Sequence, residues 1–445
     1  MHAVRSQPPS TASSERLPWV DAGTMDNEFS IALGHCVANG HLYDLTEQQR
    51  ARHIYTIGRT GTGKSTLQRS LILQDIVAGR GVCLIDPHGD NAKWLASCIP
   101  RHRMNEVIYF DAADRMHPIG LNPFTDSYDP DTRELIASEI LALFKGLFRN
   151  SWGEWLEYLL KHTLRALLER KQGMVSLLSI QRMLEDTDYR ELILRDLRDP
   201  ALKRFWEEYI NRLPERQRLE RISSTINKTG KFELSTVLRN IVGQTKSGFS
   251  IQDVLDNKKI LLVNLSKGQI GDDNANFLGS LIVSMIVGQI MRRGAIPEEE
   301  RVPHHLFIDE FQNFTTDAFA EIVSEARKYG LRLAVAHQTF DQVPEKVLNQ
   351  ILKNAEVLTA FSISFEDADR LSRSFRPLRS EALSNSQIGQ FWVRTTQYEP
   401  TLVHGFAPDQ LDGFECGSFE RAKRSSRWRY ARRREDVERK MARWY

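Results

Sequence analysis

The chain has 445 residues, 41% hydrophobic and 27% charged, with a formal net charge of +2: globular proportions, and enough length for one large or two ordinary domains around a substantial core. The charge is unevenly placed, because residues 421–445 hold 11 Lys/Arg against 3 Asp/Glu, a net of +8, which leaves −6 on the rest. The cysteines Cys36, Cys83, Cys98 and Cys416 lie far apart, without metal-ligand or paired spacing, and fit a reducing cytosol.

Residues 1–28 are rich in Pro, Ser, Thr and Ala without periodicity and read as a disordered lead-in. They show no signal-peptide core. Segments 31–34 and 41–45 flank an Asn39-Gly40 turn signal and predict a hairpin.

Residues 55–57 are a short β-branched and aromatic run, the pattern of a buried strand. The next eight, Gly58-Arg59-Thr60-Gly61-Thr62-Gly63-Lys64-Ser65, match the phosphate-loop pattern, and Thr66 opens a helical run of Leu67, Leu71, Ile72 and Ile76 that stops at Gly79. Glycines let backbone N–H groups turn toward phosphate oxygens, and the helix N-terminus behind them adds a favourable dipole. Lys64 can reach β- and γ-phosphates, and the Ser65 hydroxyl can ligate Mg²⁺. This pattern arises by chance about 0.02 times in a chain this long, so we take it as a nucleotide site. Thr229-Gly230-Lys231 fails the same test, because Phe232 replaces the hydroxyl residue and no glycine lies five positions before Gly230; it reads as a loop.

Residues 82–85 predict a strand ending in Asp86-Pro87-His88-Gly89-Asp90, and 107–110 another followed by Asp111. Strands alternating with helices argue for a parallel α/β sheet, whose ligands bind at the strand C-terminal ends. From 129 to 243 helical periodicity takes over (Leu135, Ile140, Leu141, Leu159, Leu160, Leu164), broken by loop signals at Asn150, Gly173, Pro200, Pro214 and Gly230. Its basic residues, among them Lys203, Arg204, Arg216, Arg218, Arg221, Lys228 and Lys231, are balanced by glutamates and read mainly as solvated faces. The α/β pattern returns with strands at 259–265, 306–308, 331–336 and 357–361, and an edge at 402–406. A long apolar helix is expected over 274–291. Its core, 277–291, is short for a bilayer and interrupted by Gly279, Ser280, Ser284, Gly288 and Gln289, so a soluble, cytoplasmic protein is expected. The expected organisation is an α/β nucleotide-binding domain of residues 29–128 and 244–415, an all-helical insertion at 129–243, and a tail at 416–445.

Leu306-Phe307-Ile308 runs into Asp309 and Glu310. Beside a phosphate loop, Asp309 would hold Mg²⁺ opposite Ser65, and Glu310 would orient and deprotonate water, which favours ATP hydrolysis over a metabolite kinase. Arg327, near the end of an expected helix at 321–329, can be a cation on the helix dipole, and Gln338 a loop amide; functional roles for both stay equally open.

The segments DEFQNF (309–314), EARKYGLRLAVAHQ (325–338), IDPHGD (85–90) and GLNPF (120–124) together resemble the coupling ATPases of type IV secretion and conjugation, within the FtsK/HerA class of hexameric DNA-pumping motors. The resemblance spans about 31–406. It implies a RecA-like P-loop fold with a mainly parallel sheet, ATP and Mg²⁺ as cofactors, DNA as partner and a hexameric ring. It also implies that Arg327 is an arginine finger acting across the subunit interface, that Gln338 senses the γ-phosphate, and that 129–243 matches the family's inserted all-α domain. Membrane-bound members carry N-terminal transmembrane helices and this sequence shows none, so a soluble relative, or one tethered by a membrane-bound or secretion-apparatus partner, is expected. The alternative is an ATP-gated docking module that recruits substrates without translocating them. The tail interleaves arginines with Trp428, Tyr430, Trp444 and Tyr445, and suits nucleic acid, an amphipathic helix on the protein's own surface using Glu435, Asp436 and Glu438, or an anionic membrane.

Overall fold

The structure, a computed structural model, describes residues 30–125, 129–170, 175–315, 319 and 323–443. The expected lead-in at 1–28 lies outside them, as do Trp444 and Tyr445.

Eleven strands form one sheet: β1 (Ile31–Cys36), β2 (Leu42–Leu45), β3 (Ile54–Ile57), β4 (Gly81–Asp86), β5 (Val107–Asp111), β6 (Ile260–Asn264), β7 (His304–Ile308), β8 (Leu331–His337), β9 (Val357–Ala360), β10 (Gln390–Arg394) and β11 (Thr401–Gly405). Their order is β2-β1-β11-β10-β9-β3-β8-β7-β4-β6-β5. From β9 to β5 every pairing is parallel. Beyond β9 the sheet turns antiparallel through β10, β11, β1 and β2, with the predicted hairpin at its end.

The parallel strands read as continuous apolar runs because both faces are covered. Alternate residues take opposite sides. Val82 and Leu84 pack with Leu71, Ile72 and Leu95 of the helices Lys64–Val77 and Asp90–Ser97. Cys83 and Ile85 pack with Leu278 and Ile282 of the helix Asp272–Arg292. That helix belongs to Asp272–Ala295, the one described stretch long and apolar enough to cross a membrane, and 61% of its most apolar window is buried inside the protein.

Between β5 and β6, the described residues from 130 to 242 form helices and turns without a strand, from Pro130–Leu147 to Thr236–Val242. Its core residues Phe144, Leu160, Trp206 and Phe232 continue the hydrophobic cluster on the Asp272–Arg292 side of the sheet.

Two expectations need correction. Gly230 is no loop, because it lies inside the helix Glu215–Leu234. Phe232 is buried there against Phe144 and Phe277, and that packing outweighs the roughly 1 kcal/mol a mid-helix glycine costs. Residues 402–406 are no edge: β11 pairs with both β1 and β10, and the outer strands are β2 and β5. The unexpected partner is β10, which buries only Phe391 and Val393 and so shows a weak apolar signal. Of the expected helix at 321–329, residues 321 and 322 lie outside the described residues; 323–325 are helical and Ala326–Tyr329 finishes the segment as a 3-10 turn.

The tail folds back on the protein. The helix Phe419–Tyr430 lies on the Asp90–Ser97 helix and β5, where Tyr109 N donates to Ser426 Oγ at 2.8 Å and Ser418 Oγ donates to Ala96 O at 2.8 Å. The helix Arg434–Ala442 then meets the insertion, with Asn240 Nδ2 donating to Glu438 Oε1 at 3.2 Å.

Candidate active site

The phosphate loop connects β3 to the helix Lys64–Val77. Gly58 N donates to His337 O at 3.3 Å, which fixes the loop to the end of β8. A side chain at Gly58 would put Cβ 2.5 Å from Phe361 Cβ, and Gly63 sits at φ 119°, where glycine alone is unstrained. The loop closes internally, Thr62 Oγ1 donating to Arg59 O at 2.7 Å. Lys64 Nζ donates to Gly58 O at 2.5 Å and Arg59 O at 2.8 Å. Burial pushes this ammonium below its usual range, against the opposing pull of Asp309 and Glu310. Thr60, Gly61, Gly63, Lys64, Ser65 and Thr66 line a cleft of about 460 Å³.

Asp309 and Glu310 follow β7 on the same cleft. Asp309 accepts from Asn91 Nδ2 at 3.3 Å and from Glu310 N at 3.0 Å. Burial raises its pKa to about 6, and the nearby carboxylates of Asp86 and Glu310 add to the rise. Glu310 holds a left-handed backbone, φ 46°, uncommon for a residue with a side chain and found at functional sites. Its Oε1 lies 3.1 Å from His88 Nε2 and accepts from Gln338 Nε2 at 3.0 Å. Its Oε2 accepts from Lys267 Nζ at 3.2 Å and Asn313 Nδ2 at 3.4 Å. Burial alone would raise the Glu310 pKa, but the bonds to His88 and Lys267 outweigh it and hold the carboxyl below its usual range. Gln338 also accepts from Thr60 Oγ1 at 3.0 Å, so one amide joins the phosphate loop to Glu310.

The structure thus gathers Lys64, Ser65, Asp309, Glu310 and Gln338 around one cleft. It does not bring Arg327 there. Arg327 is exposed in the turn before β8, whereas Gln338 follows that strand. Seven strand residues separate the two ends by about 20 Å.

Sequence reading missed two kinds of residue. His88 stood in a strand-end segment with several polar candidates, and Lys267, after β6, carried no cue at all. The other kind is an apolar wall, Leu33, Phe361, Ile388, Phe391 and Phe406, lining the same cleft, with Phe361 packed on the loop at Gly58 and Gly63. Phe361 and Phe391 pack with ring centroids 4.7 Å apart and planes tilted by 37°, and Gly389 N donates to Thr62 O at 2.9 Å, which bonds this wall to the loop.

The sequence profile of the type IV secretion-system coupling protein DNA-binding domain matches residues 40–361, most of the chain. The chain belongs to this family. Among solved structures, the plasmid coupling protein TrwB in complex with ADP and Mg²⁺ is similar, with a TM-score of 0.62 and 18% identity over 84% of this chain and 89% of that one. Unbound TrwB, the bacterial conjugative coupling protein lacking its N-terminal segment, gives 0.61 and 17% over 84% and 88%. VirB4 of Thermoanaerobacter pseudethanolicus gives 0.54 and 15% over 86% and 97%. These likenesses establish the α/β RecA-like P-loop fold. The curated proteins contain no match.

Proposed function

We propose that this coupling-protein relative is a cytoplasmic, ATP-hydrolysing motor that binds and translocates DNA as a homo-oligomeric ring, docked to a membrane-bound or secretion-apparatus partner. The observation that carries this reading is the convergence of Lys64, Asp309, Glu310 and Gln338 on one cleft from the ends of three neighbouring parallel strands, β3, β7 and β8. On this reading residues 29–128 and 244–415 form the motor domain and 129–243 an inserted helical domain.

The residues fit ATP and Mg²⁺. The glycine-rich loop lines the cleft with Lys64 and Ser65, and the Ser65 hydroxyl and the Asp309 carboxyl on that cleft are hard oxygen donors of the kind Mg²⁺ takes. Bound Mg²⁺ would supply charge neutralisation for the phosphates. Ser65 and Asp309 would hold it, Lys64 would leave its loop carbonyls for phosphate oxygens, and Glu310 would take the proton of the attacking water. Gln338, bonded to both Thr60 and Glu310, is placed to report occupancy of the loop to the base. Arg327 would complete a neighbouring subunit's site. Support comes from the family's DNA-binding description and from TrwB structures with ADP and Mg²⁺ and with non-hydrolysable ATP and GTP analogues.

The test is ATP turnover with DNA of graded length. A motor is stimulated, and more so by longer strands. DNA binding that depends on ATP, without stimulated turnover, would make the protein an ATP-gated docking module.

A further inference from the structure

The basic residues of the tail divide into two sets. One set is neutralised: Lys423 Nζ lies 2.8 Å from Asp111 Oδ2 and Arg427 Nε 2.6 Å from Asp114 Oδ2 on the body, and within the tail Arg434 Nε lies 2.7 Å from Glu438 Oε1 and Arg439 Nη1 3.5 Å from Asp436 Oδ1. Arg429 is spent on Ser425 Oγ at 2.7 Å and Met104 O at 3.1 Å. The other set includes Arg421, Arg424, Arg432 and Arg433, all exposed, whose guanidinium groups make no hydrogen bond or ion pair among the described residues, while the Arg432 backbone N donates to Pro118 O at 3.3 Å. Trp428 stands with them at 86% exposure. An indole so exposed forgoes the burial that makes tryptophan a core residue, so folding does not account for it.

Arg421, Arg424 and Trp428 are spaced i, i+3 and i+7 and share one stripe of the Phe419–Tyr430 helix, about 10 Å long. Ala422 and Ser426, on the opposite side, are the residues buried against the sheet.

From this division we infer that the outer face of the tail, Arg421, Arg424, Trp428, Arg432 and Arg433, is a second binding surface, whose ligand is single-stranded nucleic acid. Guanidinium groups take phosphates, and an upright indole offers a face on which an unpaired base stacks. A membrane surface fits less well, because an interfacial helix needs a continuous apolar face, and this helix turns its apolar residues inward and leaves only Trp428 outside. The surface lies beyond residue 361, where the family profile ends, so the family's DNA-binding description does not cover it. The inference borrows DNA as a partner from the proposed function, and the experiment separates the two.

Binding of a labelled oligo-dT strand to the full chain is measured against salt, for wild type and for the triple variant Arg421→Ala/Arg424→Ala/Trp428→Ala. A duplex and anionic phosphatidylserine vesicles are run in parallel. The variant should bind oligo-dT about tenfold or more weakly from lost stacking and charge, with a salt slope shallower by about 1.4 for two lost phosphate contacts. Turnover without DNA should be unchanged, which shows that the substitutions leave the fold intact. Trp428→Phe should keep most of the affinity, since a smaller ring still stacks. Equal affinity and slope in wild type and triple variant would overturn the tail surface while leaving the motor reading standing. A variant that loses only duplex or only vesicle binding would overturn it in favour of that ligand. Wild type that binds no DNA of any kind would overturn both.

Discussion

The two walls of the cleft are built on different principles. The wall from the parallel half of the sheet is polar and crowded: Lys64 folds onto loop carbonyls, Asp309 is raised to about 6, and both Glu310 oxygens are occupied. The wall from the antiparallel wing is apolar, Leu33, Phe361, Ile388, Phe391 and Phe406, with His404 beside them. On the proposed function, one wall would place charges at fixed points for a phosphoryl group, and the other would offer area and shape to the remainder of a nucleotide. Substitutions on the first should therefore act on turnover by orders of magnitude, and those on the second on affinity by small factors.

The largest effect tests the polar wall at its centre. Lys64→Ala should remove both nucleotide binding and turnover, because no other cation among the described residues reaches the phosphate loop's carbonyls. Binding of a fluorescent ATP analogue at wild-type affinity would break the contrast at once.

Arg327 tests whether that wall is complete within one chain. Exposed and at the opposite end of β8 from Gln338, it cannot serve its own cleft. Arg327→Ala should bind ATP and assemble normally, yet lose turnover by about 10³–10⁵, the contribution of an arginine finger. Mixed with Lys64→Ala, inactive in itself, it should recover part of the activity at interfaces that combine an intact Lys64 site with a neighbour's Arg327. Mixed rings that form and remain inactive, or a fully active Arg327→Ala, would reduce Arg327 to a surface cation.

Glu310→Gln should keep nucleotide affinity and lower turnover by about 10²–10⁴, the range for a positioned general base. The amide keeps one acceptor oxygen for Lys267, and its nitrogen meets His88 and Gln338 once they turn an acceptor toward it, so the side chain keeps its shape while the proton acceptor is gone. Near-normal turnover in steady-state assays would give the role of base to another group.

Legibility follows the same division. Phosphate binding needs a lysine, a hydroxyl and glycines at fixed spacing, so Gly58–Ser65 was readable, and Asp309-Glu310 became readable once paired with it. The parallel strands were readable because burial on both faces writes unbroken apolar runs such as Ile260–Asn264. β10 alternates two buried with three half-buried residues, and its place between β9 and β11 is decided by contacts far along the chain. An apolar wall asks only for bulk, so Ile388 and Phe406 carried no pattern. Lys267 reaches Glu310 across 43 positions, a contact that only the β6–β4–β7 order creates.

The smallest expected effect lies on the apolar wall. Ile388 is 79% exposed and lines the cleft just before Gly389, whose N–H ties this wall to Thr62. Truncation to alanine should leave stability within about 0.5 kcal/mol, as for an exposed residue. If a bound nucleotide covers this side chain only in part, the loss is one or two methylene equivalents, about 1 kcal/mol at roughly 0.8 kcal/mol each. Ile388→Ala should then raise the KM for ATP by about fivefold and leave kcat within a factor of two, because ground state and transition state lose the same contact. A kcat that falls more than tenfold with KM unchanged would place Ile388 in the chemistry, and the two walls would no longer divide shape from charge.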